Sequence, residues 1–202
     1  MGRPRTFDEN LALRAATETF REYGYAEATP QRLADAMGLG KGSLYHAFGS
    51  KHELFIRCLK DYAQDACVQL EKTLQQRTVP IGDRLREVFA SAAEDDSRSP
   101  ETAGCLLVNT VVELGPTDEE AGHIASRSFE KMRSIFLTAL QDGVRSGDIM
   151  ETSDLGKIAD HLQSALIGQR VLNRLASRTG HTPLQLDPII PFPEKYPESL
   201  AN

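Results

Sequence analysis

The sequence predicts an all-α chain, with a small N-terminal head of three helices that includes a helix-turn-helix and a larger helical body behind it. Three observations predict this. Apolar residues recur three and four apart in one segment after another, the spacing that gathers them on one face of a helix. Residues that cap or stop helices stand at the segment ends: Thr29 before Pro30, Ser50 before Glu53, Gly147 after Ser146. Between residues 29 and 48 two short helical patterns meet at a glycine, the layout of two helices crossing at a steep angle.

The first helix is expected from about Asp8 to Tyr23, stopped by Gly24, with Leu11, Ala15, Ala16 and Phe20 as its buried stripe. Thr29 caps the next helix, and Pro30 sits at its first position, where a missing N–H costs nothing. Leu33, Ala34 and Met37 share a face, Gly38 ends the helix, and Lys41 to Phe48 form a second short one. Ala34 must be small because that helix crosses close above it, while Leu33, Met37, Leu39 and Leu44 make a miniature core.

Ser50 and Glu53 form a capping box for a helix whose apolar period, from Leu54 to Leu74, carries it to about Gln76. Such length exceeds what a 50-residue head can cover, so its far end must pack on a second domain. A further helix follows from Ile81 to about Ala92, then a polar loop, EDDSRSPE, with Asp95 and Asp96 read as solvated acids. The run GCLLVNTVVELGP, Gly104 to Pro116, fits a short helix buried on most sides. Thr117 with Glu120 is expected to cap a long helix to Ser146 carrying Ile124, Met132, Ile135, Phe136, Ala139 and Leu140. The last helix runs from about Asp154 to Arg178 on Leu155, Ile158, Ala159, Leu162, Ala165, Leu166 and Leu172. Five of the ten prolines fall between Pro183 and Pro197, which rules out a long helix there. The expected division is a head over residues 1–50 with a connecting helix over about 50–76, a body over 51–180 and a proline-rich tail over 181–202.

Charge is distributed unevenly. Residues 1–60 hold nine Lys/Arg against seven Asp/Glu, a balance of +2, while the rest holds 14 against 22, a balance of −8. No acid occurs from Ala36 to His52, where Lys41, His46, Lys51 and His52 stand. A polyanion would therefore dock at the head, although the overall pI is near 5.4. Arg3 and Arg5 around Pro4 read either as a basic arm for a groove or as a solvated terminus. No run of 18 apolar residues exists and no signal peptide is recognisable, so a cytoplasmic protein with no membrane partner is expected. Three cysteines at irregular spacing suit neither a disulfide framework nor a zinc site. The five histidines are scattered and no nucleophile-elbow, zinc-protease, P-loop or dinucleotide motif occurs, so neither enzymatic activity nor a cofactor or metal is expected.

Three stretches, FDENLALRAATETFREYGY, the Ala34–Gly38 turn and KGSLYHAFGSKHELF, resemble the DNA-binding domain of TetR-family transcriptional regulators. The last is the most specific, matching K-G-[ST]-[LI]-Y-x-x-F-x-[SN]-K-x-x-L-[FL] nearly throughout. The likeness covers about residues 5–60; beyond it, helix order and the GCLLVN…EL segment are similar but less specific. The resemblance implies an all-α homodimer of roughly nine helices per subunit, with a helix-turn-helix head and a helical ligand-binding and dimerisation domain. It implies a repressor that leaves a palindromic double-stranded operator when a small-molecule effector binds. Lys41–Ala47 then corresponds to the recognition helix, opening on Lys41 and Gly42, with Lys41, Ser43, His46 and Gln31 toward base edges. Tyr45 and Lys51 correspond to the family's phosphate contacts, and Thr29 caps a helix whose N-terminus can meet the backbone. The proline-rich tail departs from the family pattern of two closing helices paired across the dimer.

For the effector, the expected pocket residues are Tyr62, Phe89, Cys105, Asn109, Glu113, Phe129, Met132 and Phe136, each of which could equally fill a core. In the mechanism so read, a ligand shifts the connecting helix by about 1–2 Å and changes the separation of the two heads. A tenfold loss of operator affinity needs about 1.4 kcal/mol of preference for the displaced state. The alternative makes Cys105 a redox or electrophile sensor, its thiolate favoured at the start of a short helix; against this stands an inert, buried thiol.

Overall fold

The computed structural model describes residues 7–98, 104–149 and 154–179. They form eight α-helices and no strand: α1 (Glu9–Glu27), α2 (Pro30–Ala36), α3 (Lys41–Phe48), α4 (Lys51–Leu74), α5 (Ile81–Arg98), α6 (Leu106–Glu113), α7 (Glu119–Ser146) and α8 (Leu155–Thr179). The Arg3/Arg5 arm and the proline-rich tail lie outside the described residues.

Local chemistry builds the head. Asp8 accepts from Asn10 N and Leu11 N to start α1, and Thr29 Oγ1 accepts from Arg32 N to start α2. Gly38, at φ 65°, makes the left-handed turn into α3. Leu33, Ala34, Met37, Leu44 and Phe48 are buried, with Leu39 packed against them. Phe20 and Tyr25 pack edge-on to Phe55, with centroids 5.0 and 4.9 Å away, pinning α1 to α4. The buried stripe of α1 is Ala12, Leu13, Ala16, Thr19, Phe20 and Arg21. Leu11 is instead 62% exposed: the stripe begins one residue later than expected. Nor does the helical path end at Tyr23, for it breaks at Gly24 (φ 75°, ψ 177°) and resumes for one turn to Glu27.

Ser50 Oγ accepts from Glu53 N and starts α4, which is one half of the capping box; the Ser50 amide donates to Phe48 O and not to the Glu53 carboxylate. The 24 residues of α4 reach about 36 Å at 1.5 Å per residue, and two apolar cores use different parts of them. Leu54, Phe55, Cys58, Leu59 and Ala63 join the head core, which also takes Leu106 and Leu107 of α6 and Ala121 and Ala125 of α7. Leu70 and Leu74 belong to a second core with Ile81, Leu85 and Phe89 of α5, Phe136 and Leu140 of α7, and Ala159 and Leu162 of α8.

Several expectations for the body are corrected. α5 continues through the acidic run to Arg98, and Asp96 is only 1% exposed, because it receives hydrogen bonds from Gly104 N (2.9 Å) and Asn173 Nδ2 (3.1 Å) and lies 3.2 Å from Arg170 Nη2. α6 is buried along one side only, through Leu106, Leu107 and Thr110, while Val112 is 78% exposed. The cap of α7 is Asp118, which accepts from Ala121 N, and not Thr117. On α8, Leu172 points outward with Val171 and Leu175.

Candidate nucleic-acid interface and effector cavity

Only Leu44 and Phe48 of α3 are buried; Lys41, Gly42, Ser43, Tyr45, His46 and Ala47 are exposed. The helix is thus anchored by two side chains on one edge and offers the rest of its surface to solvent. Gly40 is its N-cap and supplies no side-chain acceptor, which leaves the first amides of α3 free for an anion. Lys41 and His46 take part in no ion pair among the described residues. Gln31 and Thr29 lie on the exposed side of the preceding helix, Gln31 Nε2 donating to Asp35 Oδ1 at 2.7 Å.

Lys51 is placed differently from a free phosphate lysine. Its Nζ donates to Ala26 O at 3.1 Å and sits 4.5 Å from the Tyr25 ring centroid. Partial burial lowers its pKa, with Glu113 and Glu27 pulling the other way. Arg32, not anticipated, donates to Glu27 O at 2.8 Å and lies over the Tyr23 ring at 4.4 Å. It adds a cation to the same end of the head.

Behind the head, α4, α5, α7 and α8 leave a cavity of about 400 Å³. Of the expected pocket residues, Tyr62, Cys105, Phe129 and Met132 line it. Asn109 and Glu113 line a second hollow of about 370 Å³, which shares Cys105, Val108 and Arg170 with the first. Phe89 and Phe136, at 1% and 0% exposure, fill the second core instead. Residues that sequence reasoning missed are Asp65, Asp95, Arg170 and the α8 wall. The available signal was polar side chains in phase with apolar stripes. Asp65 stands three residues after Tyr62, Asp95 three and seven after Ala92 and Val88, and Arg170 three and four after Ile167 and Leu166, so each continues the face that lines the cavity.

A polar network closes one end of the cavity. Arg170 Nη2 donates to Gly104 O at 2.7 Å, and both its terminal nitrogens reach Asp95 Oδ2 at 3.2 Å. Arg21 of α1 reaches the same two acceptors at 3.4 and 3.3 Å. Burial raises the Tyr62 pKa, and the neighbouring Cys105 thiol adds to this, against Arg170 and Arg21. Burial likewise pushes the Cys58 thiol up to about 11 and raises that of Cys67, whereas Cys105 is half-buried.

Two further contacts tie the body to the head. Glu113 of α6 accepts from Tyr25 N at 2.8 Å and Ala26 N at 2.6 Å. His52, at the start of α4, lies 2.8 Å from Asp118, whose pKa is lowered by the Ala121 amide and then by His52.

Comparison with known proteins agrees with this arrangement. Residues 12–58 match the family model described as bacterial regulatory proteins, tetR family, and residues 82–182 match that of the tetracyclin repressor-like C-terminal domain. The chain is 28% identical over 167 residues to the uncharacterized HTH-type transcriptional regulator YezE of Bacillus subtilis (strain 168), covering 82% of this chain and 85% of that one. It is 34% identical over 110 residues to the HTH-type transcriptional repressor BdcR of Escherichia coli (strain K12), covering 54% and 55%. Among solved structures, a cysteine mutant of the TetR family transcriptional regulator CifR, complexed with 26-bp double-strand operator DNA, superposes with a TM-score of 0.75 at 26% identity, covering 86% of this chain and 90% of that one.

Proposed function

Because the chain belongs to the tetR family of bacterial regulatory proteins and is a DNA-binding transcriptional regulator, we propose that it is a repressor released from a palindromic operator by a small molecule held in the 400 Å³ cavity. The observation that carries the DNA half is the division of α3: Leu44 and Phe48 are buried, and Lys41, Ser43, Tyr45 and His46 are exposed. In this reading Lys41, Ser43, His46 and Gln31 meet base edges in the major groove. Tyr45 meets a phosphate, and the amides following Thr29 and Gly40 meet the backbone. Lys51 keeps two ammonium donors for a phosphate while its third stays on Ala26 O, which holds the side chain in place.

A second copy supplies the second head. Val171, Leu172 and Leu175 on α8, all about half exposed, support an apolar face for it to cover. Release then follows from helices that touch both cavity and head. Tyr62, Asp65, Ala66, Gln69, Leu70 and Thr73 of α4 line the cavity, and the same helix begins at Lys51. Cys105, another lining residue, is the N-cap of α6, whose far end holds Tyr25 and Ala26 through Glu113. A ligand needs to favour the displaced state by about 1.4 kcal/mol to weaken operator binding tenfold.

The experiment is a gel shift on DNA upstream of the protein's own coding region, with and without a panel of small molecules. A retarded band that some compounds abolish supports the reading. Retention that no compound or oxidant changes refutes release.

One observation favours a second mode at the same site: Cys105 lines the cavity and is the half-buried cysteine of three, next to the Tyr62 hydroxyl. Here an electrophile or oxidant modifies its sulfur. Release that persists in a Cys105→Ser protein overturns that mode and leaves non-covalent binding in place.

A further inference from the structure

We propose that the α4/α5/α7/α8 cavity selects a hydrophobic organic cation, with an aromatic or alkyl body inside and a protonated nitrogen at an acidic mouth. This rests on reading the cavity as the effector site and adds the chemical class of the effector.

Its walls are apolar, with Leu70, Val88, Phe129, Met132, Leu166 and Ile167 among them. The formal charges on its lining are one cation, Arg170, and two carboxylates, Asp65 and Asp95. Arg170 is already committed. Its Nη1 donates to Asp95 and Ala92 O; its Nη2 donates to Asp95 and Gly104 O and lies 3.2 Å from Asp96. The side chain is 12% exposed, and the groups around it would have to be displaced before an anion could reach it. An entering carboxylate or phosphate would therefore find the Arg170 and Arg21 guanidiniums already turned onto Asp95 and Gly104 O, and would meet the Asp65 carboxylate on the open wall.

A cation meets the opposite situation. Asp65 lies along the cavity wall on α4 and makes no ion pair or hydrogen bond among the described residues. Its charge is not neutralised by its neighbours, and a low-dielectric wall on one side strengthens its attraction for a positive group. Because Asp65 is exposed, an ammonium beside it keeps part of its hydration while the apolar body displaces water from the interior. The Phe129 and Tyr62 rings and the Met132 thioether are soft surfaces that accept a cationic or aromatic ligand. A volume of about 400 Å³ is within the range of cavities that hold a drug-sized organic molecule.

The test uses the full-length protein and three fluorescent probes of one shape: 9-(aminomethyl)anthracene, protonated at neutral pH, 9-anthracenemethanol and 9-anthracenecarboxylate. Expected is binding of the amine about fivefold or more tighter than the alcohol, as two unit charges about 5 Å apart in a wet mouth provide, with the carboxylate weaker than both. Asp65→Asn should bring the amine down to the alcohol. Met132→Trp, which fills the cavity, should weaken the amine and the alcohol while the melting curve stays cooperative. The proposal is overturned if the carboxylate binds as tightly as the amine, if the advantage of the amine survives in Asp65→Asn, if amine binding survives in Met132→Trp, or if no probe binds. Adding the amine to operator-bound protein separates this from the release mechanism. Binding without loss of the complex refutes release and leaves the charge selection standing.

Discussion

Replacing Glu113 by alanine tests the connection between body and head. The amides of Tyr25 and Ala26 follow the break at Gly24, so they open a helical turn with no acceptor of their own in the preceding one. Glu113 supplies one carboxylate oxygen to each, at 2.8 and 2.6 Å. Gly24 makes this possible twice over: its φ of 75° suits glycine, and a Cβ there would lie 2.7 Å from Glu113 Oε2. A hydrogen bond to a charged group contributes about 1.5–3 kcal/mol when buried. Glu113 and Ala26 are exposed, so water replaces much of what is lost, and about 1–2 kcal/mol for the pair is the expected cost. For a chain of this size that lowers the melting temperature by about 2–8 °C. The assay is a calorimetric melt of Glu113→Ala beside amide exchange at Tyr25 and Ala26, both of which should exchange faster. Glu113→Gln, with a single acceptor oxygen, should fall between. An unchanged melt with unchanged protection at the two amides would refute the latch.

Other expectations follow from the same geometry. Asp96→Ala removes the partner of Gly104 N and Asn173 and leaves Arg170 with less counter-charge; a loss of about 3–5 kcal/mol in denaturant unfolding is expected, and a change below 1 kcal/mol would show that the network is better solvated than its burial implies. Leu44→Ala empties the buried edge of α3 and should cost about 2–5 kcal/mol, measured by urea titration, with wild-type stability contradicting the role of Leu44 as the anchor. Asp118→Ala removes the α7 cap and the His52 contact for about 1 kcal/mol. Because the folded pKa of Asp118 is depressed below 3.8, its contribution is complete above that value and fades as pH falls through the lower folded one. The difference between wild type and Asp118→Ala should accordingly hold at pH 6 and shrink below about pH 4; a gap that widens in acid would contradict the assignment.

The head was the most legible part of the sequence, because its signals act over a few residues. Thr29 with Pro30, Gly38, and the Leu33–Ala34–Met37–Leu44 offsets specify caps, a left-handed turn and a steep crossing without reference to the rest of the chain. The stripe of α1 starts at Ala12 and Leu13 and not at Leu11, because at 100° per residue Leu13 lies beside Ala16 and Phe20 while Leu11 lies opposite Phe20. EDDSR has the composition of a loop, yet α5 runs through it to Arg98. What holds Asp96 inside a helix is Asn173, 77 positions away, and no local pattern carries that. The exposed Val111 and Val112 of α6 are the complementary case: apolarity alone does not say which sides of a helix have neighbours. Half of the expected pocket residues line the cavity because apolar and lightly polar side chains on middle helices share that surface with the core. Which of them face a gap depends on how four helices pack, and Phe89 and Phe136 fell on the packed side.

The central claim is tested most directly by fluorescence anisotropy of the protein on its operator across a salt series, comparing wild type, Lys41→Ala and Lys157→Ala. Lys41 stands exposed on α3, and Lys157 is an exposed lysine of α8 paired with Asp154. Expected is a Lys41→Ala protein with operator affinity lower by about tenfold or more, the scale of one good base contact, and Lys157→Ala indistinguishable from wild type in affinity and salt slope. Equal affinity for all three proteins, or a larger loss at Lys157, would contradict docking through α3.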